Sequence, residues 1–286
     1  MAISSEIAST AKLVGEEKAV ALFGKAGFDH WDFSMFAMRG EYDWGTKTIK
    51  LTGHPLETYA ESLKLAKQLR EIGEAYGMTC NQSHAPFPVD SPAIRDLLKQ
   101  SIECTAVAGG DICVIHPDNY KSAEQNAEMY NELLPFAKEH HVRLAAENMW
   151  NWNGKQALPA ACSSPEDFIA HIDVVNDPYL VACLDLGHAE MYGLNTSAVE
   201  MIQKLNRRIA ALHIHDNDLS YDSHQIPFSM KIDFTVIAKA LKEIDYPGVY
   251  TLEADRFMSA YEDNPEEGVK KLAISARRFE QMVKDA

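Results

Sequence analysis

The stretch ALHIHDNDLSYDSH, residues 211–224, follows an apolar run and carries three histidines and three aspartates. The run IAAL at 209–212 is typical of a buried β-strand. A buried strand that ends in imidazoles and carboxylates delivers them together to one edge of a sheet. Because both side chains are common ligands of divalent metal ions, the stretch predicts a strand that leads into a metal site.

Seven further short apolar runs have the same character, and longer stretches with helical spacing separate them. The eight predicted strands lie near AISS (2–5) and at 30–35, 79–84, 112–117, 143–148, 180–186, 209–215 and 249–254. Alternation of strands and helices indicates parallel strands, and eight such units favour a (β/α)8 TIM barrel over an open sheet. No linker or shift in composition interrupts the pattern. We therefore expect a single α/β barrel domain over residues 1–286.

The composition narrows the class of partner. Acidic residues outnumber basic ones by 42 to 27, which gives a formal net charge of −15 and argues against a nucleic-acid partner. Five scattered cysteines without a CxxC pair indicate reduced, mostly buried thiols, as in cytoplasmic proteins. No run approaches the roughly 18 apolar residues that span a bilayer, so we expect a cytoplasmic protein without a membrane partner.

Candidate ligands follow six consecutive predicted strands, from the third to the eighth. They are His84, His116, Glu147, Asp185, His188, His213, His215 and Glu253, together with Asp222 and His224 in the loop after the seventh strand. In a parallel barrel the carboxyl ends of the strands meet at one face, where active sites lie. Clustered carboxylates and imidazoles would be destabilising there without a cation. Their mixed nitrogen and oxygen atoms suit Zn²⁺, Mn²⁺, Co²⁺ or Fe²⁺ better than Ca²⁺.

Two ambiguities remain at the level of the sequence. His213 and His215 lie on the same face of a strand because side chains alternate with a period of two. The HxxD spacing after the apolar run favours His213 as the ligand, and Asp222 and His224 could equally belong to a solvated loop.

Four further side chains are candidate substrate contacts. Trp44 and Trp150 lie in loops on the expected catalytic face, where an aromatic ring could pack against a substrate or serve as a lid or dimer contact. Lys231, in the loop after the seventh strand, could reach a substrate oxygen or phosphate. Arg256 could bind a phosphate or carboxylate, or form a salt bridge at the rim.

Several short motifs, one for almost every strand, resemble the xylose isomerase-like TIM barrels. They are HAPFP (84–88), VIHPD (114–118), AAENM (145–149), LDLGH (184–188), LHIHDND (212–218), DSH (222–224) and TLEAD (251–255). Each motif is weak alone, but their order along the chain is specific. This superfamily includes sugar isomerases and epimerases, and also the endonuclease IV repair enzymes.

The resemblance to the sugar isomerases implies one divalent ion, which could be Mn, Co, Mg or Zn. Its ligands would be Glu147, Asp185, His213 and Glu253. The two glutamates would also move a proton at the carbon beside a carbonyl, and His188 would contact a substrate oxygen. The expected activity is isomerisation or epimerisation of a sugar, a sugar phosphate or a related polyol through a metal-stabilised enediolate. A homo-oligomer is compatible with this expectation.

The resemblance to endonuclease IV implies a different enzyme, a three-zinc phosphodiesterase acting on abasic DNA. Its ligand positions would be His84, His116, Glu147, Asp185, His188, His213, Asp222, His224 and Glu253. The form LDLGH and the acidic charge favour the isomerase branch, whereas the stretch QIPFSMKIDF after DSH lacks the glycine-rich turn common in such proteins. A third alternative is a metal-containing barrel that binds a sugar or polyol without converting it.

Overall fold

The computed structural model describes residues 1–43, 45–46, 48–91 and 94–286 of the chain. It has a parallel strand at each of the eight predicted positions. They are β1 (Ile3–Ser5), β2 (His30–Ser34), β3 (Thr79–His84), β4 (Ile112–Val114), β5 (Arg143–Glu147), β6 (Leu180–Asp185), β7 (Ile209–His213) and β8 (Tyr250–Leu252). Trp44, a predicted substrate contact, lies outside the described residues.

The parallel strands form two sheets that meet at their edges. A six-stranded sheet, in the order β7-β6-β5-β4-β3-β2, is curled as a half-barrel, and β1 pairs with β8 in a second sheet. Single parallel bridges between Glu6 and Asp32 and between Ile214 and Leu252 join the two sheets. The carboxyl ends of all eight strands therefore point towards the same face, and the predicted parallel α/β architecture is confirmed.

Helices follow the strands and cover the outside of the sheets. They are α1 (Ala8–Val14), α2 (Glu16–Ala26), α3 (Tyr59–Ala75), α4 (Arg95–Ala108), α5 (Ala123–Glu139), α6 (Pro165–Val175), α7 (Leu186–Ala189), α8 (Ala198–Leu205), α9 (Phe234–Glu243) and α10 (Pro265–Asp285), with short 3₁₀ turns at Phe36–Arg39, Pro55–Glu57, Asn206–Arg208 and Phe257–Tyr261. Ser164 and Asp233 cap α6 and α9, accepting hydrogen bonds from the backbone N–H groups of Asp167 and Thr235.

Two antiparallel hairpins interrupt this pattern. One pairs Glu41–Asp43 with Thr48–Lys50, and the other pairs Trp150–Trp152 with Ala157–Pro159. The second hairpin follows β5 directly, so it stands at the face towards which the strand ends point. It thereby brings two tryptophans close to the predicted site.

The core lies between the sheets and the helices. Phe33, Leu144 and Leu212 are fully buried on the strands, and Phe168 and Phe279 face them from α6 and α10. All five cysteines are buried and unpaired, as the sequence predicted. Within the described ranges, no helix combines the length and apolarity that crossing a membrane requires.

Candidate metal centre

Four predicted ligands converge where β5, β6, β7 and β8 end. They are Glu147, Asp185, His213 and Glu253, and one ligand atom from each lies within 4.8 Å of the others. Nδ1 of His213 is 3.0 Å from Oε1 of Glu147 and 3.3 Å from Oε2 of Glu253. All four side chains are buried. We call this group the central cluster.

The central cluster fits a divalent cation. Its buried atom Oδ2 of Asp185 has no hydrogen-bond partner among the described residues. An unsatisfied buried polar atom costs about 1–3 kcal/mol, and more if the group is charged. Three carboxylates and one imidazole around a common point are an ordinary ligand set for Mn²⁺, Co²⁺ or Zn²⁺. A cation at that point would satisfy the Asp185 oxygen and bind Nδ1 of His213, which faces Glu147 and Glu253.

The two glutamates of the central cluster differ in their affinity for a proton. Burial alone would raise the pKa of Glu147, but the charge of His213 and hydrogen bonds from His116 and His213 hold it well below its usual value. Burial raises the pKa of Glu253 well above its usual value, and the neighbouring charge of Glu147 adds to this effect. Two carboxylates at one centre are thus held in unlike electrostatic surroundings.

A second group lies beside the central cluster. It consists of His188, His215, Asp222 and His224, again with ligand atoms within 4.8 Å of one another, and we call it the outer cluster. Nε2 of His215 is 3.1 Å from Oδ1 of Asp185 and 3.4 Å from Oδ1 of Asp222, so His215 links the two clusters. Burial opposes protonation of His188, but the charges of Asp185 and Asp222 raise its pKa to about 10.

A third group lies on the opposite side of Glu147. Nε2 of His84 and Nε2 of His116 are 2.9 Å apart, and they lie 3.3 Å and 3.2 Å from Oε2 of Glu147. Burial lowers the pKa of His116 to about 4, which favours the neutral, metal-binding form of its imidazole. The ring of Phe87 stacks on His116 with centroids 4.7 Å apart. The structure therefore brings together every histidine and carboxylate predicted as a ligand.

The stretch HIHDND (213–218) contains both candidate ligands and residues that anchor the following loop. Beyond the two histidines, the carboxylate of Asp216 accepts hydrogen bonds from the backbone N–H groups of Met230 and Ile232, at 2.7 and 3.0 Å. Nδ2 of Asn217 donates to the carbonyl oxygen of Gly187 at 2.9 Å. These two buried residues hold the loop that carries Asp222 and His224 against the site.

Asn148 has a positioning role that the sequence did not indicate. Its side chain accepts from the backbone N–H of Asp185 at 2.7 Å and donates to the carbonyl oxygen of Asp185 at 2.9 Å. Its own carbonyl oxygen is 2.9 Å from Nδ1 of His188. Asn148 thus fixes the ends of β5 and β6 relative to each other. In the sequence, only its position directly after Glu147 pointed to a role at the site.

A buried polar network supports the central cluster from within the sheet. Ser4 donates to Asn81, whose amide donates to Thr251, at 2.7 and 3.0 Å. Thr251 donates to Gln82 at 3.2 Å, and Nε2 of Gln82 donates to Oδ2 of Asp32 at 2.9 Å. Asp32 was not among the predicted site residues, although HWDFSM (30–35) places its carboxylate in a predicted strand.

A cavity of about 530 Å³ opens above the clusters. Its lining includes Glu147, His188 and Glu253 on the floor and Trp150 and Arg256 on the walls. The predicted substrate contacts Trp150 and Arg256 are therefore at the cavity. Lys231 is exposed and is not part of the lining, and its backbone N–H donates to Asn217.

Comparison with known proteins agrees with this geometry. Residues 23–277 match the xylose isomerase-like TIM barrel family. The chain belongs to that family. It is 28% identical over 214 residues to the uncharacterised protein MJ1311 of Methanocaldococcus jannaschii, covering 68% of this chain and 71% of that protein. The uncharacterised protein y4fM of Sinorhizobium fredii is 24% identical over 202 residues, covering 67% of this chain and 61% of the relative.

Several solved structures are similar to this chain along its whole length. A D-tagatose 3-epimerase-like protein superposes with a TM-score of 0.72 at 20% identity, covering 100% of this chain and 99% of the other. A D-psicose 3-epimerase superposes with a TM-score of 0.71 at 12% identity, covering 100% of both chains. A D-allulose 3-epimerase from Methylomonas sp., solved with D-allulose, gives 0.69 at 15% identity over 98% and 96%. At these identities the likeness establishes the fold.

Proposed function

We propose that the protein is a divalent-metal-dependent sugar isomerase or epimerase. The observation that carries the proposal is the central cluster, Glu147, Asp185, His213 and Glu253, whose two glutamates line a cavity of about 530 Å³. The structural neighbours named as 3-epimerases of D-tagatose, D-psicose and D-allulose support a sugar or a related polyol as the substrate class.

We further infer that the eight parallel strands close into a single (β/α)8 barrel domain over residues 1–286. The backbone N–H of Ile7 donates to Asp32 at one junction of the two sheets, at 3.2 Å. The backbone N–H of Glu253 donates to Ile214 at the other junction, at 3.0 Å. Closure explains why ligands from strands distant in sequence lie at one point.

In this proposal the four residues of the central cluster hold the metal ion, with Mn, Co, Mg and Zn as candidates. A divalent cation there would polarise the carbonyl and neighbouring hydroxyl of a ketose. It would thereby acidify the C–H bond of the carbon that bears this hydroxyl, next to the carbonyl. Glu147 and Glu253 act on the two faces of the substrate, one removing the proton and the other returning it. Nε2 of His188 donates a hydrogen bond to a substrate oxygen.

The first experiment is elemental analysis of protein purified without a chelator. We expect about one divalent ion per chain, followed by exchange of substrate hydrogen for deuterium when the metal-loaded protein is incubated with ketoses in D₂O. Glu147→Gln should remain folded, by circular dichroism, and lose the exchange. Turnover retained by Glu147→Gln would overturn the assignment of this residue.

A second candidate is a three-zinc phosphodiesterase that acts on abasic DNA. The specific observation in its favour is that the central cluster, the outer cluster and the His84–His116–Glu147 group adjoin one another. Two to three zinc ions per chain and cleavage of abasic-site DNA would replace the isomerase proposal. Binding of sugars without any hydrogen exchange would instead indicate the third alternative, a barrel that binds sugars without converting them.

A further inference from the structure

A chain of ring contacts leads from the site to the protein surface. The imidazole of His188, in the outer cluster, lies 6.3 Å from the ring of Trp150, centroid to centroid. Trp150 lies 6.3 Å from Trp152, and Trp152 lies 6.3 Å from Tyr221, in both cases nearly perpendicular. The guanidinium of Arg256 lies over the ring of Tyr221 at 5.1 Å. The outer end of this chain is formed by Trp152, Tyr221 and Arg256, which we call the rim platform.

The rim platform is held in place by contacts from two separate segments. Trp152 belongs to the hairpin after β5, where the strand Trp150–Trp152 pairs with Ala157–Pro159. Tyr221 belongs to the loop after β7, where its backbone N–H donates to Asp218 at 2.8 Å. Nη1 of Arg256 donates to the hydroxyl oxygen of Tyr221 at 3.2 Å. The two rings are therefore held next to Trp150 and Arg256, which line the cavity.

Despite these contacts, the two aromatic side chains stay open to solvent. Trp152 is 44% exposed and Tyr221 is 46% exposed, whereas His188, at the inner end of the chain, is buried. Exposed aromatic surface beside a cavity is a feature of ligand-binding grooves. Aromatic rings combine a flat apolar face with a polar edge, which suits the C–H faces and hydroxyl groups of a sugar ring.

We propose that the rim platform is a second sugar-binding subsite and that the substrate is a glycosylated ketose. The ketose unit occupies the cavity above the central cluster. The attached sugar ring packs on Trp152 and Tyr221, and Arg256 donates hydrogen bonds to its hydroxyl groups. This inference rests on the proposed function, because it assumes that a ketose is bound at the clusters.

The test compares sugars of two lengths on the metal-loaded protein. The probes are D-fructose and two disaccharides in which a second ring is linked to fructose, lactulose and isomaltulose. Dissociation constants are measured by titration calorimetry or ligand-observed NMR. We expect at least one disaccharide to bind about tenfold more tightly than D-fructose, and saturation transfer to the protons of its second ring.

Variants assign the difference to the rim platform. In Trp152→Ala the ratio of the dissociation constant for D-fructose to that for the tighter disaccharide should fall close to one. Trp152→Phe should restore part of the wild-type ratio. Tyr76→Ala is the matched control, because Tyr76 is similarly exposed, at 44%, and directly follows the last residue of α3. It should keep the wild-type ratio. Thermal melting shows whether each variant remains folded.

The outcomes separate this inference from the proposed function. D-Fructose that binds and exchanges hydrogen, with no gain for either disaccharide, overturns the second subsite alone. A gain that persists in Trp152→Ala also overturns it. Failure of the metal-loaded protein to bind any of the three sugars overturns the second subsite, and failure to exchange hydrogen with any ketose as well overturns both proposals.

Discussion

Gly187 lies directly against the imidazole of His215: a Cβ atom built on Gly187 would stand 2.1 Å from Cε1 of that ring. His215 cannot retreat freely, because its Nε2 already lies 3.1 Å from Asp185 and 3.4 Å from Asp222. The glycine of LDLGH is therefore required for space, and the side chain it makes room for belongs to the outer cluster.

Gly187→Ala should displace His215 and destabilise the fold by about 1–3 kcal/mol, as overpacking of a buried site does. Urea denaturation measures the loss. The control is the same substitution in a His215→Ala background, where the clash is removed and most of the cost should disappear. An equal loss of stability from Gly187→Ala in the wild type and in the His215→Ala background would show that contact with His215 is not the cause.

Asp32→Asn should weaken metal binding while leaving the fold intact. Oδ2 of Asp32 is 3.7 Å from Nε2 of His213, and both side chains are buried. A carboxylate behind a ligand histidine favours the tautomer with the proton on Nε2, which leaves Nδ1 free to face Glu147 and Glu253. Loss of such a partner commonly reduces metal affinity by about 10–100-fold.

Competition with a chromogenic chelator measures that affinity. Glu6→Gln is the control for Asp32→Asn, because Glu6 is a buried carboxylate at the end of the neighbouring strand whose side chain hydrogen-bonds Ser9. Equal metal affinities of Asp32→Asn and wild type would show that Asp32 does not support metal binding.

Glu6 itself should make stability depend on pH. Burial, and then the nearby carboxylates of Asp255 and Asp32, raise its pKa from 4.5 to about 7. The folded state therefore holds this proton more tightly than the unfolded state, and the contribution of Glu6 to stability falls as pH rises from about 4.5 to 7. Glu6→Gln should gain on the order of 1–3 kcal/mol relative to wild type between pH 5 and pH 8.

Denaturant titrations of both proteins at pH 5 and pH 8 measure this difference. A Gln side chain keeps one acceptor for the two hydrogen bonds that Glu6 accepts from Ser9, so the gain is expected to be smaller than the full shift in pKa would give. Stability curves that stay parallel across this pH range would contradict the prediction.

Removal of the metal should lower the melting temperature. Without a cation, Glu147, Asp185 and Glu253 are buried together and repel one another. A ligand present at about 100 times its Kd stabilises the folded state by about 2.7 kcal/mol, which corresponds to roughly 5–10 °C for a chain of this size. Scanning fluorimetry with and without EDTA, followed by restoration with Mn²⁺ or Co²⁺, measures the shift. An unchanged melting temperature in protein shown to contain metal would contradict the prediction.

The strands and the convergence of the candidate ligands could be predicted from the sequence because both follow from local patterns. Apolar runs mark the strands, and parallel strands must end at one face, so Glu147, Asp185 and Glu253 could be expected together. The distinction between His213 and His215 could not be made in this way. Two residues along a strand span about 6–7 Å, so two histidines on one face reach different heights of the cavity. His213 pairs with Asp185 in the sheet, whereas His215 lies beyond the end of β7.

Residues that anchor the loop were harder to predict than candidate ligands, because one type of side chain can anchor a loop in one place and face a metal site in another. Asp216 and Asp222 are both aspartates in one loop, but the carboxylate of Asp216 is occupied by backbone N–H groups and that of Asp222 faces three histidines. Only the path of the chain distinguishes these roles. Asp32 was missed for a related reason, since its meaning depends on Gln82 and His213 from other strands.

The hydrogen bonds of Asp216 to Met230 and Ile232 close the loop after β7 at its base. Changes in the length or sequence of the intervening segment are thereby insulated from His213, which lies on the strand side of this closure. The floor of the cavity and its wall can accordingly diverge at different rates in evolution. If the proposed function holds, residues around Asp222 and His224 can be exchanged as one unit to alter the accepted sugar, while the candidate ligands on the strands stay unchanged.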